Sequence, residues 1–246
     1  MNKDKLTQHI SQQFNQDLDR VRSDFLSMGG QVEQQLASAM KALLAGNAEE
    51  AEAVIRNDAR INQMELNVDD ELMRILALRH PAASDLRLVV AIGKSVTDLE
   101  RIGDEAFKIA RATIALNKEG ESPRGYAEAR SIADRVANML RNVLDAFARF
   151  DAKAAFEVMK SDSSIDQEYE SAMRSLITYM MEDPRSISRV LNVMNVLRSL
   201  ERIGDHARNI AEQLIYLAQG IEARHTDYQV IENRLNAAEG VDKKPE

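Results

Sequence analysis

The chain has 246 residues, with 32 Lys and Arg against 40 Asp and Glu, a formal net charge of −8, and no Cys. An apolar share of 44% over that length supports one or two folded domains and excludes wholesale disorder. The lack of Cys removes disulfides, thiolate metal sites and cysteine nucleophiles, and the acidic balance disfavours a nucleic-acid binder, which carries a basic footprint.

Ten Gly, four Pro and 4% aromatics leave few helix breakers and predict an all-α protein of long helices. No apolar run approaches the roughly 18 residues of a membrane span. The polar start MNKDKLTQHI lacks a signal peptide's apolar core, so a cytoplasmic protein is expected.

In chain order, Leu6, Ile10, Phe14, Leu18, Val21, Phe25, Met28, Val32, Leu36 and Leu43 form one helical stripe. It predicts a first helix of about 40 residues and about 60 Å, with Gly29 and Gly30 as the place for a bend. Asn47 with Glu50 reads as an N-cap and capping box for a second helix, which Pro81 ends. Ser84 is expected to cap a third helix running to about Asn117, and GESPRG (Gly120 to Gly125) reads as a linker. Three more helices follow at about 127–149, 152–182 and 186–219, with Pro184 at the second break. The segment from Glu222 to the closing AEGVDKKPE reads as a loose tail.

The chain repeats itself. LERIGDEAFKIA (Leu99 to Ala110) matches LERIGDHARNIA (Leu200 to Ala211) at nine of twelve positions. Upstream, Asp58, Ile61, Asn62 and Gln63 face Asp162, Ile165, Asp166 and Gln167, while Val32 and Leu36 face Val136 and Leu140. An ordered series of this length marks a tandem duplication. The expected fold class is all-α: two tandem, pseudo-symmetric three-helix bundles of long antiparallel helices, over residues 1–119 and 126–222, with 223–246 as a flexible tail.

On a helical wheel Glu100 falls inside the apolar stripe of Val89, Val96, Phe107 and Ile114, and Asp104 falls at its edge. On the second helix Asp58, Asn62, Glu65 and Asp69 interrupt the face of Ala51, Val54, Ile55, Leu72 and Leu76. Folding the chain antiparallel about Pro81 brings Asp58 to Glu65 to the level of Glu100 and Asp104. Folding about Pro184 brings Asp162 and Asp166 to the level of Glu201 and Asp205.

Like charges four residues apart disfavour a helix by a few tenths of a kcal/mol, and burial adds to that. Something must neutralise them. One reading is a hard divalent or trivalent cation: Mg²⁺, Mn²⁺, Ca²⁺ or iron, with Zn²⁺ also admitted. The other is ion pairing with Arg101, Arg202 and nearby cations, with Gly103 and Gly204 merely letting helices approach. Spacing alone leaves both open.

Other candidates carry less. His206 lies far round its helix from Glu201 and reads as solvated. The single Glu222-x-x-His225 pattern does not supply the pair of such motifs a di-iron bundle needs. No nucleotide-binding glycine loop or nucleophile elbow is present, and Met180, Met181 and Met194 read as core filling.

RHPAASDLRLV (Arg79 to Val89), LERIGD (Leu99 to Asp104), DQEYE (Asp166 to Glu170), TYMMEDPR (Thr178 to Arg185) and the second LERIGD (Leu200 to Asp205), in this chain order, resemble the PhoU family of phosphate-transport-system regulatory proteins. The resemblance covers about residues 5 to 226. It implies a cytoplasmic, usually dimeric, non-enzymatic protein that represses the phosphate-starvation regulon. It would link the ATPase of a phosphate ABC transporter to a phosphate-sensing histidine kinase, contacting the membrane through such partners and nucleic acid not at all. The family's metal motif maps onto Glu100 and Asp104 and onto Glu201 and Asp205. Its partner acids map onto Asp162 and Asp166, and less cleanly onto Asp58 and Asn62. The amide at Asn62 departs from the acidic pattern and predicts the weaker metal site in the first repeat. A carboxylate-rich metal-storage or hydrolytic bundle is the alternative; it needs an open coordination position and a general base.

Overall fold

The computed structural model describes residues 12–120, 124–220 and 222–242. Leu6 and Ile10 of the first stripe, Glu121 to Pro123 of the linker and the final Lys243 to Glu246 lie outside the described residues. The described chain is helical with no strand. It runs as α1 (Gln12–Ala45), α2 (Ala48–Arg79), α3 (Ala83–Glu119), α4 (Tyr126–Arg149), α5 (Ala152–Glu182), a single 3₁₀ turn at Pro184–Ser186, α6 (Ile187–Gln219) and α7 (Tyr228–Asp242).

Helix starts follow their local chemistry at two of the turns. Asn47 Oδ1 accepts the Glu50 backbone N–H at 3.1 Å to open α2. Asp151 Oδ1 does the same for Lys153 and Ala154, at 3.1 and 3.0 Å, to open α5. Ser84 does not cap α3. The helix begins one residue earlier, and Ala82 stands at its N-cap with no side-chain hydrogen bond.

Each repeat is a three-helix bundle, α1–α2–α3 and α4–α5–α6, as the duplication implies. The bundles share one continuous core rather than two separate ones. The end of α3 meets the start of α6, where Glu119 accepts a hydrogen bond from Ser188 at 2.5 Å. The end of α6 meets the start of α3, where Gly220 faces Arg87. The two helices are therefore antiparallel, and theirs is the most extensive helix contact in the molecule. A second seam joins α1 to α4, where the rings of Phe25 and Phe147 sit with centroids 4.5 Å apart. Both rings are fully buried, and each such side chain contributes about 1.5–3 kcal/mol.

Two readings of single segments need correction. Within its described residues the tail is not loose: α7 packs on α5, with Ile231 and Leu235 buried, the Tyr228 ring edge-on to Phe156 at 5.7 Å and the Tyr228 hydroxyl donating to the Met159 carbonyl at 3.3 Å. Two apolar residues four apart were too short a signal to read as an amphipathic helix. Met181 is 80% exposed and fills no core, whereas Met180 and Met194 are partly buried against it.

The helix α1 runs unbroken through Gly29 and Gly30, and the two glycines serve different ends. A Cβ at Gly29 would lie 2.5 and 2.8 Å from the Leu144 methyl carbons, whereas one at Gly30 would meet nothing within 4 Å. Gly29 thus sets how closely α1 approaches α4. Gly30→Ala is expected to raise stability by up to about 1 kcal/mol through helix propensity. Gly29→Ala must displace the buried Leu144, an overpacking cost of about 1–3 kcal/mol. Denaturant melts that place Gly29→Ala at or above Gly30→Ala would refute this account of the seam.

Candidate functional site

The sequence places acids of α2 and α3 at one level, and the structure brings them together. Asp58 sits within the field of Asp104, and Glu65 within that of Glu100, Asp69 and Asp104. Burial, and then these like charges, push the Asp58, Glu65 and Glu100 carboxyls above their usual range. Arg101 answers them only from the rim. It is about half exposed and lies 3.5 Å from Glu100 and 4.0 Å from Asp104.

Gln35 on α1, a residue the sequence reading passed over, closes the floor of this cluster. It is 2% exposed. Its Nε2 donates to Asp58 Oδ1 at 3.1 Å and to the Gly103 carbonyl at 3.4 Å, while Asn57 donates to its Oε1 at 3.0 Å. A polar residue beside Leu36 inside the α1 stripe was the available signal. Asn62 Oδ1 is buried and has no hydrogen-bond donor. Gly103 admits the opposing helix: a Cβ there would stand 3.3 Å from Ile61 and 3.9 Å from Asp58 Oδ1.

The second cluster uses the same positions with a different neutraliser. Asp162, Asp166 and Asp205 feel one another, and Glu201 feels all three. Burial and this repulsion raise Asp162, Asp166 and Glu201. Arg208 reaches into this group, donating to Asp162 Oδ2 at 2.6 Å and lying 3.7 Å from Asp205 and 3.6 Å from Glu212. Its counterpart in the first repeat is Phe107, and the counterpart of Gln35 in the second is Met139. Arg202, named as a candidate partner for Glu201, instead holds Glu105 at 2.9 Å. His206 is not solvated: its Nδ1 lies 2.8 Å from Asp98 Oδ1 across the α3–α6 seam, and Asn209 donates to the same oxygen at 3.1 Å. A wheel drawn for one repeat could not show that the other repeat covers that side.

The donor set of the first cluster fits a hard cation: oxygen atoms only, mutually repelling acids, and the donorless Asn62 oxygen. Among the described residues no three Asp, Glu or His side chains converge tightly enough to grip one ion; these residues would hold one only after side-chain rotation. In the second cluster the positive charge among the acids is Arg208 itself, paired with Asp162 and Asp205.

A family model described as the PhoU domain matches residues 25–113 and 129–214, one match per repeat. The chain belongs to the PhoU family. It is 62% identical over 225 residues to the phosphate-specific transport system accessory protein PhoU homolog of Pseudomonas putida, covering 92% of this chain and 88% of that one. It is 44% identical over 220 residues to the Escherichia coli (strain K12) accessory protein PhoU, covering 89% and 91%. The crystal structure of PhoU from Pseudomonas aeruginosa superposes with a TM-score of 0.83 at 59% identity, over 85% of this chain and all of that one. PhoU proteins with these names are accessory proteins of phosphate-specific transport systems, and no described helix here is long and apolar enough to cross a membrane.

A carboxyl whose folded pKa is raised binds more protons in the native state than in the unfolded one. Its contribution to stability therefore falls as pH rises. The chelator-treated protein is expected to melt at a higher temperature as pH drops from neutral toward the raised carboxylate range. Glu100→Gln should flatten that slope and stabilise the protein at neutral pH; a thermal melt series showing an unchanged slope contradicts this. Arg208→Met should act oppositely, destabilising by on the order of 2 kcal/mol. That is less than for a fully buried pair, because about a third of Arg208 faces water.

Proposed function

We propose that this chain is a negative regulator of phosphate uptake and of the phosphate-starvation response. In this reading it couples the ATPase subunit of a phosphate ABC transporter to a phosphate-sensing histidine kinase. The observation that carries the reading is the 62% identity, over nearly the whole chain, to a protein named as an accessory of phosphate-specific transport. The architecture supports it physically. Long fused bundles offer wide faces, and apolar side chains are left on them, with Leu66, Met73, Leu78 and Met181 all more than half exposed. Such faces suit a homodimer contact or a partner protein. The acidic surface suits indirect control of transcription, and association with the membrane runs through the transporter.

The metal belongs to the same proposal. Glu100 and Asp104, with Asp58, Asn62 and Glu65, hold a hard cation in the first repeat; Glu201 and Asp205, with Asp162 and Asp166, hold one in the second when Arg208 withdraws. The expulsion of Arg208 costs the second site affinity, which reverses the order expected from Asn62 alone.

Two measurements test these readings. Deleting the gene should turn on a phosphate-starvation promoter in high phosphate; unchanged, low activity there defeats the regulator reading. Metal content of protein purified without chelator should drop further in Glu100→Ala/Asp104→Ala than in Glu201→Ala/Asp205→Ala. Equal losses would remove the special role of Arg208, and wild type without any metal would leave ion pairing as the sole account of the acids.

A further inference from the structure

A cleft of ≈ 440 Å³ lies between α3 and α6, and it gathers positive charge in an acidic protein; Arg198 and Arg202 on its wall also border the pocket of Glu201 and Asp205. Lys108 and Arg111 line it from α3, and Arg198 and Arg202 from α6. The single carboxylate in its wall is Glu105. Glu105 is 2% exposed and sits between Lys108 and Arg202, each 2.9 Å away. It holds two of the cations in place and neutralises one charge, so four cations face one anion. Arg111 and Arg198 are exposed and have no ion-pair partner among the described residues. Arg111 lies 6.0 Å over the Phe107 ring, and Arg198 feels Glu201 only at longer range.

The duplication supplies an internal control. Advancing or retreating by one repeat places Asn209 where Lys108 stands, Glu212 where Arg111 stands, Thr97 where Arg198 stands and Arg101 where Arg202 stands. Lys94 stands at the place of Asn195 and Asp98 at that of Ser199, so the equivalent face of the other repeat sets Lys94 and Arg101 against Asp98 and Glu212 and has no net positive charge. The helix packing does not require the cations, and gathering them beside one another costs repulsion unless an anion is present. Guanidinium groups in a half-enclosed cleft suit the oxygens of a phosphate group, which they bind in paired hydrogen bonds. Asn195 and Ser199 in the same wall add neutral donors.

We infer that the cleft between α3 and α6, lined by Lys108, Arg111, Arg198 and Arg202, is a binding site for a small phosphate-bearing anion. Its meaning as a signal input rests on the regulator reading above, but the binding itself does not. Because the cleft spans the seam between repeats, an occupant would tie α3 to α6.

The test is calorimetric titration of the full-length, chelator-treated protein at low ionic strength, with orthophosphate and tripolyphosphate as separate probes. Saturable one-site binding of either is expected. Orthophosphate binding identifies free phosphate as sufficient, and binding of tripolyphosphate alone identifies a phosphate chain. Arg111→Gln/Arg198→Gln should weaken the binding at least tenfold, whereas Arg56→Gln, an exposed change on α2, should leave it as in wild type. Since Arg111 and Arg198 are exposed, the double variant is expected to keep its circular dichroism spectrum and melting temperature. Absence of binding with both probes, or equal binding by the double variant, overturns the site. A binding failure leaves the promoter experiment untouched, and a silent promoter leaves the calorimetry untouched, so the two readings fail separately.

Discussion

Helices α3 and α6 lie antiparallel over most of their length; the cationic cleft and the fused core take their positions from that contact, and each of the two helices carries one wall of an acid cluster. Each helix carries LERIGD, so the seam pairs two copies of one surface. Inside each repeat Gly103 and Gly204 draw α2 and α5 against the same helices: a Cβ at Gly204 would stand 3.4 Å from Asp162 Oδ1. The carboxylates are consequently pressed together where water is scarce. Burial first, and after it a repulsion that a single exposed helix would tolerate at a few tenths of a kcal/mol, raises several carboxyls at once.

The two repeats resolve this repulsion by different means. The second carries its own counter-charge in Arg208, one turn beyond Gly204. The first has a neutral amide, Gln35, on the floor and only the rim cation Arg101, so its acids stay partly uncompensated. Duplication thus supplied one scaffold, and substitutions at Phe107 against Arg208 and at Gln35 against Met139 made two electrostatically distinct sites from it. The same divergence separates the cationic cleft from its counterpart: Arg111 against Glu212 alone is a change of two charges. Across the seam, Asp98 binds His206 while Glu105 binds Arg202, so the repeats are also tied by unlike pairs.

The fold was readable because its signals are local and repeated. Helix stripes, the Asn47 cap, the Pro81 and Pro184 breaks and the offset between repeats are all short-range features, and they recovered six helices with ends displaced by a few residues. The level of the acids was readable too, because an antiparallel pair about a known turn has a fixed register. Ser84 misled since a cap is a competition between neighbouring residues that the backbone settles. The α7 helix was hidden because Ile231 and Leu235 make a stripe only against α5.

What the sequence determined by itself was the all-α class, the duplication and which acids share a height, since periodicity of about 3.6 and chain continuity impose these before any packing is known. What only the tertiary structure decided was who neutralises whom. Gln35 reaches Asp58, Arg208 takes Asp162, Arg202 leaves Glu201 for Glu105, and His206 turns to Asp98. Each choice joins residues from different helices, and a charged side chain several bonds long settles on whichever partner the packed neighbours leave within about 3 Å.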